Sequence, residues 1–238
     1  MSERARERAD VTVAELWRYP VKSVGGERVE TLDLEAGGVP VDRAWGLRDL
    51  GTGLVLTAKR CGQLLDARAR VEGPGVVVEL PDGTVGRAGE ADLDAALSAW
   101  LDRPVAMESA QPGVRTDYDD GFAGRPGTFH DSSPLHLVTT ATLDQDDPRR
   151  YRANVVVGAD DEPFFEDAWV GSSLAVGPAR LAVSRRCGRC VMVTRPQPGI
   201  GQDRTRLTRL RERDSCFGVY ASVETPGTLG VGDLVQRT

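Results

Sequence analysis

Apolar and polar residues alternate along much of the chain, with the period of half-buried strands. Residues 11–23, VTVAELWRYPVKS, begin the pattern, and Pro20 ends it or confines its end to a sheet edge. Residues 27–35 (ERVETLDLE) alternate again, and Gly37 and Gly38 turn the chain toward AWGLRDL. DLGTG at 49–53 reads as a hairpin-like turn into LVLTA. LLDARARVEG (64–73) and GVVVELPDG (75–83) are two further strand-like runs, and PDG supplies a turn. Short strands at close spacing predict an antiparallel sheet or barrel.

ADLDAALSAWLDRP (91–104) breaks this rhythm. Leu93, Leu97, Trp100 and Leu101 share one helical face and Pro104 follows just beyond, so the spacing predicts an amphipathic helix packed on the sheet. Residues 111–128 are rich in Gly, Pro and Asp and lack periodicity, the pattern of a long functional loop or a domain boundary. The second half begins at Phe129. After Pro134 comes LHLVTTATLDQ, in which 135–138 read as a strand and Thr139 or Thr140 as the N-cap of a short helix. NVVVG, LAVGPARLAVS and CVMVT read as buried strands, residues 203–214 as a short charged helix, and FGVYASVE and GDLVQR as closing strands. The expected fold is therefore mainly β with some α.

Composition narrows the function classes. The 238 residues are 40% hydrophobic and 28% charged, an ordinary globular balance that excludes a disordered or collagen-like chain. A net charge of −6 argues against a general nucleic-acid binder and supplies no attraction to an anionic membrane. No apolar run approaches a bilayer span, and the first ten residues, MSERARERAD, lack the apolar core of a signal peptide. A cytoplasmic location is expected, with Cys61, Cys187, Cys190 and Cys216 as reduced thiols. Only two of the 30 basic residues, Lys22 and Lys59, are lysines. In a chain so biased toward arginine, each marks a position where a compact ammonium is wanted.

Several residues could carry chemistry, and each has a plainer alternative. Cys187 and Cys190 form a CxxC. A structural zinc needs a second ligand pair, and a thioredoxin-like dithiol needs a helix at its first cysteine; neither condition is met. A buried, incidental pair stands against a reactive one, whose thiolate Arg185, Arg186 and Arg189 would favour. His130 and His136 flank Asp131-Ser132-Ser133-Pro134, at a spacing unusual for metal ligands. Ser132 and Ser133 read as turn residues or as hydroxyl donors to an anion. Asp42, Arg43 and Asp167 read as surface ion-pair partners, and Tyr220 as a core residue.

Seven segments, taken in order, resemble the MOSC family, named for the C-terminal domain of molybdenum cofactor sulfurase. RYPVKS and VDRAW come first, then His130-Asp131-Ser132-Ser133-Pro134 running into LHLVTTATL. RYRANVVV, FFEDAWVG, RCGRCVMVT and FGVYASVETPGTLGVGDLV follow. Residues 11–110 resemble the N-terminal β-barrel domain of the family's two-domain members, and residues 111–238 the MOSC domain. The layout is similar to that of the amidoxime-reducing components of mitochondria and their bacterial counterparts. The resemblance implies a molybdenum cofactor, molybdenum bound to molybdopterin, with Cys190 as thiolate ligand to the metal. It implies cofactor contacts at Lys22, Ser23, Arg43, Ser132, Ser133, Arg152, Gly188, Arg189 and Tyr220. Two departures stand out: Arg152-Ala153-Asn154 where the family often has RPN, and Gly188 where it often has Ser.

The cations and hydroxyls in that set suit a dianionic phosphate and an electron-rich dithiolene. The activity implied is reduction of N-hydroxylated or N-oxide small molecules by two-electron removal of oxygen, with Asp167 a candidate for site support or a proton relay. Electrons would come from a separate donor protein, because the length leaves no room for an iron–sulfur module and no membrane anchor is visible. The alternative is a sulfur-carrier or cofactor-handling protein that works through a Cys190 persulfide. A cofactor-free binding module is a third reading.

Overall fold

The computed structural model describes residues 11–238; the charged segment 1–10, read above as lacking a leader, lies outside the described residues. Among those residues the fold is mainly β with a few short helices. The first half contains β1 (Thr12–Arg18), β2 (Glu27–Val29), β3 (Thr31–Leu34), β4 (Trp45–Asp49), β5 (Arg68–Glu72), β6 (Gly75–Glu79), β7 (Val85–Arg87), α1 (Ala91–Leu101) and β8 (Val105–Ser109). The second half contains β9 (Leu135–Thr139), α2 (Thr140–Leu143), β10 (Val155–Gly158), β11 (Ser173–Val176), β12 (Ala179–Gly188), α3 (Arg206–Arg209), β13 (Cys216–Thr225), β14 (Gly227–Gly230) and β15 (Val235–Arg237).

One eight-stranded sheet, in the order β15-β11-β12-β13-β9-β10-β1-β2, organises the molecule. Its first-half strands are continuous with the second half through β1, which pairs with β10; β3 pairs with β14 in a separate two-stranded sheet. The pairing is antiparallel except between β9 and β10, which run parallel. That parallel pair departs from the purely antiparallel expectation. Residues 140–154 carry the chain back over the sheet between them, as a parallel connection requires. Leu16, Leu135, Leu137, Val155, Val157, Leu181 and Val219 fill the core on this sheet.

The smaller sheets, β4-β8 and β5-β6-β7, close around a second core. The face predicted for α1 packs there: Leu93, Leu97 and Leu101 are buried and Trp100 half-buried. The helix ends at Asp102 in the left-handed conformation, with Pro104 beyond. Thr139 caps α2, accepting a hydrogen bond from the Thr142 N–H at 3.1 Å. LVLTA forms no regular strand and contributes two isolated bridges, from Val55 to Arg48 and to Tyr118.

CVMVT is not a strand either. Residues Val191–Thr194 form a single 3-10 turn, tied by Thr194 Oγ1 donating to the Val191 carbonyl at 2.7 Å. The reason is register. β12 ends at Gly188 opposite Cys216, where β13 begins, so no partner strand continues beside residues 190–194. Val193 then packs with Tyr151 and Phe217 in a third, smaller core.

Candidate functional site

The predicted residues converge where the two halves meet. The chain leaves β1 through Pro20, and the Lys22 N–H donates to the Trp45 carbonyl at 2.8 Å. Ser23 follows at φ 65°, its Oγ accepting from the Ala58 N–H at 2.9 Å. Arg43 at φ 49° and Arg152 at φ 56° hold the same left-handed conformation. Non-glycine residues adopt it at some cost, and such strain collects at functional sites. All three line one cleft.

The cleft has two adjoining compartments. The inner one has a cavity volume of about 90 Å³ and is lined by Lys22, Ser23, Arg43, Ser132, Ser133, Arg152, Arg189 and Tyr220, together with Asp131, His136 and Asn154. The outer one adds Thr57, Lys59, Asp120, Phe122, Gly188 and Cys190. Lys22, Ser23, Ser132, Arg189 and Tyr220 belong to both. Every cofactor-contact residue expected from the sequence therefore lines the cleft.

Asp167 does not. It lines neither compartment and forms an ion pair with Arg213, so the expected relay role is corrected to a structural pairing. Asp42 and Arg43 also depart from expectation, because their ion pair is buried rather than a surface pair. The Asp42 side chain is fully enclosed and accepts the Tyr19 N–H at 2.6 Å.

Buried positive charge dominates the inner compartment. The Lys22 ammonium, 5% exposed, lies 2.8 Å from Asp131 Oδ1 and 3.8 Å from the centre of the Tyr118 ring. Burial holds it below the ordinary lysine range, against the pull of Asp131. Arg152 donates to the carbonyls of Val24 and Val21. Burial, then the neighbouring Arg43, pushes its guanidinium down to about 9. The Arg43 and Arg152 guanidiniums lie against the Tyr19 ring, 4.8 Å and 4.4 Å from its centre. Arg43 Nη2 donates to the Arg152 carbonyl at 3.1 Å. Arg189 is half-buried, and its enclosed Nε has no partner. Four cations thus face Asp42 and Asp131 as the carboxylates placed against them.

The hydroxyls and the cysteine complete the rim. Ser133 Oγ donates to the Ala221 carbonyl at 2.8 Å, and Ser132 Oγ accepts from Arg185 at 2.9 Å. Tyr220 sits in register with His136 across β13 and β9. Bulges in the β12–β13 ladder flank this stretch and re-aim Arg185 to Gly188. A Cβ at Gly188 would meet open space, so the serine common in the family would extend into the outer compartment without a clash. Cys190 is half-buried at the compartment wall. The Arg189 guanidinium beside it reaches Cys187 instead.

Some site residues carried no clear sequence signal. Asp120 and Phe122 come from the aperiodic loop 111–128, whose length and composition were the only hint. Lys59 was marked by lysine scarcity alone. Its ammonium lies 2.6 Å from Asp120 Oδ2 and 4.4 Å from the centre of the Phe122 ring. Both lysines of the chain therefore line one cleft. Among the described residues no group of three or more His, Cys, Asp or Glu is arranged to hold a metal, and the two histidines separate. His130 lies 3.5 Å from Asp42, and His136 meets the Phe217 carbonyl at 2.9 Å.

His130 yields a pH prediction. Burial pulls its imidazole down to about 4, outweighing the attraction of Asp42. The unfolded chain binds this proton first, near pH 6.5. The stabilisation is therefore whole above 6.5 and lost as pH falls toward 4, about 3 kcal/mol over that window. Urea titrations of the wild type at pH 7 and pH 4.5, repeated on His130→Asn, check it; the variant should lose less stability on acidification.

No helix among the described residues is long and apolar enough to cross a membrane. A family model described as "MOSC N-terminal beta barrel domain" matches residues 10–107, and one described as "MOSC domain" matches residues 127–236. The chain is similar to human mitochondrial amidoxime-reducing component 1, 26% identical over 94% of this chain and 82% of that protein. It is also similar to the molybdenum cofactor sulfurase of Danio rerio, 40% identical over 30% of this chain and 9% of that one. The crystal structure of the YUAD protein from Bacillus subtilis matches with a TM-score of 0.48 and 15% identity, covering 96% of each chain. With a MOSC N-terminal β-barrel region followed by a MOSC domain, and relatives of the same layout, the chain belongs to the MOSC family.

Proposed function

We propose that this protein is a molybdenum-cofactor-dependent reductase of small N-hydroxylated or N-oxide compounds. The observation that carries this reading is the excess of buried cations in the inner compartment, next to a thiol in the outer one. Four buried or half-buried positive charges with two carboxylates form a costly arrangement, which a bound anion relieves. The unpartnered Arg189 Nε is a ready donor to such an anion. The donor set therefore fits a pterin phosphate, with Lys22, Ser23, Arg43 and Arg152 holding it. Arg189, Ser132, Ser133 and Tyr220 would hold the rest of the group, and Cys190 the metal.

When bound, the group supplies the two-electron change that cleaves the N–O bond. The overall reaction consumes two electrons and two protons and releases water. The electrons come from a separate donor protein. The chain's own residues bind and orient. Arg152, although its guanidinium is pushed down to about 9, stays cationic at neutral pH and acts with Arg43 to hold the anion. Lys59, held by Asp120, offers an ammonium donor to the substrate oxygen, and Phe122 gives the substrate an apolar wall.

Purified protein, expressed in a host that makes the cofactor, should contain about one molybdenum per chain and a fluorescent oxidised pterin. Absence of both overturns the proposal. Lys59→Met should raise KM about 10-fold at unchanged pterin content, the loss of one charged hydrogen bond. An unchanged KM removes Lys59 from the substrate wall. The second reading, a sulfur carrier, draws on the accessibility of Cys190 from the outer compartment. A persulfide on Cys190 by intact mass, without molybdenum, would favour it.

A further inference from the structure

The first cysteine of the CxxC pair has no role in the reading above, yet its surroundings are specific. Cys187 is fully buried at the end of β12. Arg189 Nη1 lies 2.8 Å from its Sγ, and Nη2 donates to the Tyr151 carbonyl at 2.8 Å. No carboxylate pairs with Arg189 among the described residues, although the residue is half-buried and its Nε is enclosed. A partly buried guanidinium without an anion is unfavourable. The sulfur is the atom placed to supply that anion. A protonated Cys187 has the Gly188 carbonyl at 4.0 Å, the far limit for sulfur, and the His136 and Tyr220 side chains beside it, but only the ionised sulfur supplies the anion that the short Arg189 contact calls for.

We propose that Cys187 is a buried thiolate, the counter-ion that holds Arg189 in place between the two compartments. Its contribution to cofactor binding rests on the proposed function; the ion pair does not. Cys187 is thus a positioning residue, and its effect reaches the cleft through Arg189, which lines both compartments. The titratable and charged groups facing the sulfur are Arg189, His136 from β9, and Tyr220 and Cys216 from β13. Burial opposes the thiolate, but Arg189, His136 and Tyr220 outweigh it and bring the thiol down to about 6. Cys61 and Cys216 differ, because burial pushes both upward.

That contrast makes the pair measurable without metal. In a Cys190→Ser background, thiolate absorbance near 240 nm should show one thiolate at pH 7.5, titrating near pH 6. Adding Cys187→Ser should abolish it, and adding Arg189→Met should move the midpoint up toward the ordinary thiol range. Should a double variant fail to fold, the ¹³Cβ shift of Cys187 in the Cys190→Ser protein, followed from pH 5 to 8, reads the same ionisation. No thiolate signal at pH 7.5, or absorbance that survives Cys187→Ser, overturns the proposal. For the positioning role, pterin per chain is compared in otherwise wild-type protein. Cys187→Asp, which restores an anion, should retain at least fivefold more than Cys187→Ala. Equal retention by the two overturns that role. If wild-type protein carries no pterin, the cofactor reading fails, and the thiolate titration still decides the ion pair.

Discussion

Cys190→Ser should leave the protein folded and deprive it of metal. The side chain is half-buried at the wall of the outer compartment, and serine is close in size, so stability should change by no more than about 0.5 kcal/mol. Metal retention is another matter. A hydroxyl is a poor substitute for a thiolate toward a soft metal, and losing even an outer partner of a metal ligand weakens affinity about 10- to 100-fold. Loss of the ligand itself should exceed that, with molybdenum below about a tenth of an equivalent and reductase activity at background. Pterin should be lost to a lesser degree, because Lys22, Arg43, Arg152 and Arg189 remain. Metal analysis and pterin fluorescence on the same preparation separate the two. A variant that keeps its molybdenum shows that Cys190 is not the ligand.

Lys22→Met should separate binding from stability in the opposite sense to most charge deletions. Burial holds the ammonium below its ordinary range, so the folded protein without an anion is strained by that charge. Its ion-pair partner Asp131 is 59% exposed and can be rehydrated when the lysine goes, and its other partner, the Phe129 carbonyl, is held only at a long 3.3 Å. The melting temperature of cofactor-free protein should therefore hold or rise. Retention of the cofactor should fall about 10- to 100-fold, the loss of a charged hydrogen bond of 1.5–3 kcal/mol. Arg152→Met gives the contrast. Arg152 donates to the carbonyls of Val21 and Val24, and its loss leaves two buried acceptors unsatisfied, about 2–5 kcal/mol of stability. If Lys22→Met destabilises the protein as much as Arg152→Met should, the lysine is a structural residue and the phosphate assignment fails.

Much of the site was legible because its residues sit in compact motifs that also have local structural reasons. RYPVKS ends a strand at a proline, and its Ser23 must take a left-handed turn. VDRAW repeats that device at Arg43, and RYRAN at Arg152. Asp167 does form the ion pair read for it, but its candidacy for a relay fails, because nothing near FFEDAWVG in the sequence reveals its partner. The carboxylate pairs with Arg213, 46 residues on. Lys59, Asp120 and Phe122 were opaque for the same reason. Their joint position depends on the loop 111–128 folding over the LVLTA segment, anchored where the Thr57 N–H and hydroxyl donate to Asp119 at 3.0 and 2.7 Å.

The chain's alternating pattern determined strands in both halves, helical spacing the buried face of α1, and local cap chemistry the Thr139 N-cap, whereas the candidate site residues were marked by the motifs that carry the family resemblance. These are local properties, set by side-chain period and by turn and cap chemistry within a few residues. Tertiary structure decided the rest. It wove β1 and β2 into the sheet of the second half. It left residues 191–194 without a strand partner, so valines that favour a strand closed into a 3-10 turn. It delivered the Arg189 guanidinium to Cys187 rather than to Cys190, its neighbour in the chain. Such choices depend on which buried charge meets which counter-ion across the fold. That pairing is governed by desolvation and distance, and neither is written in local sequence.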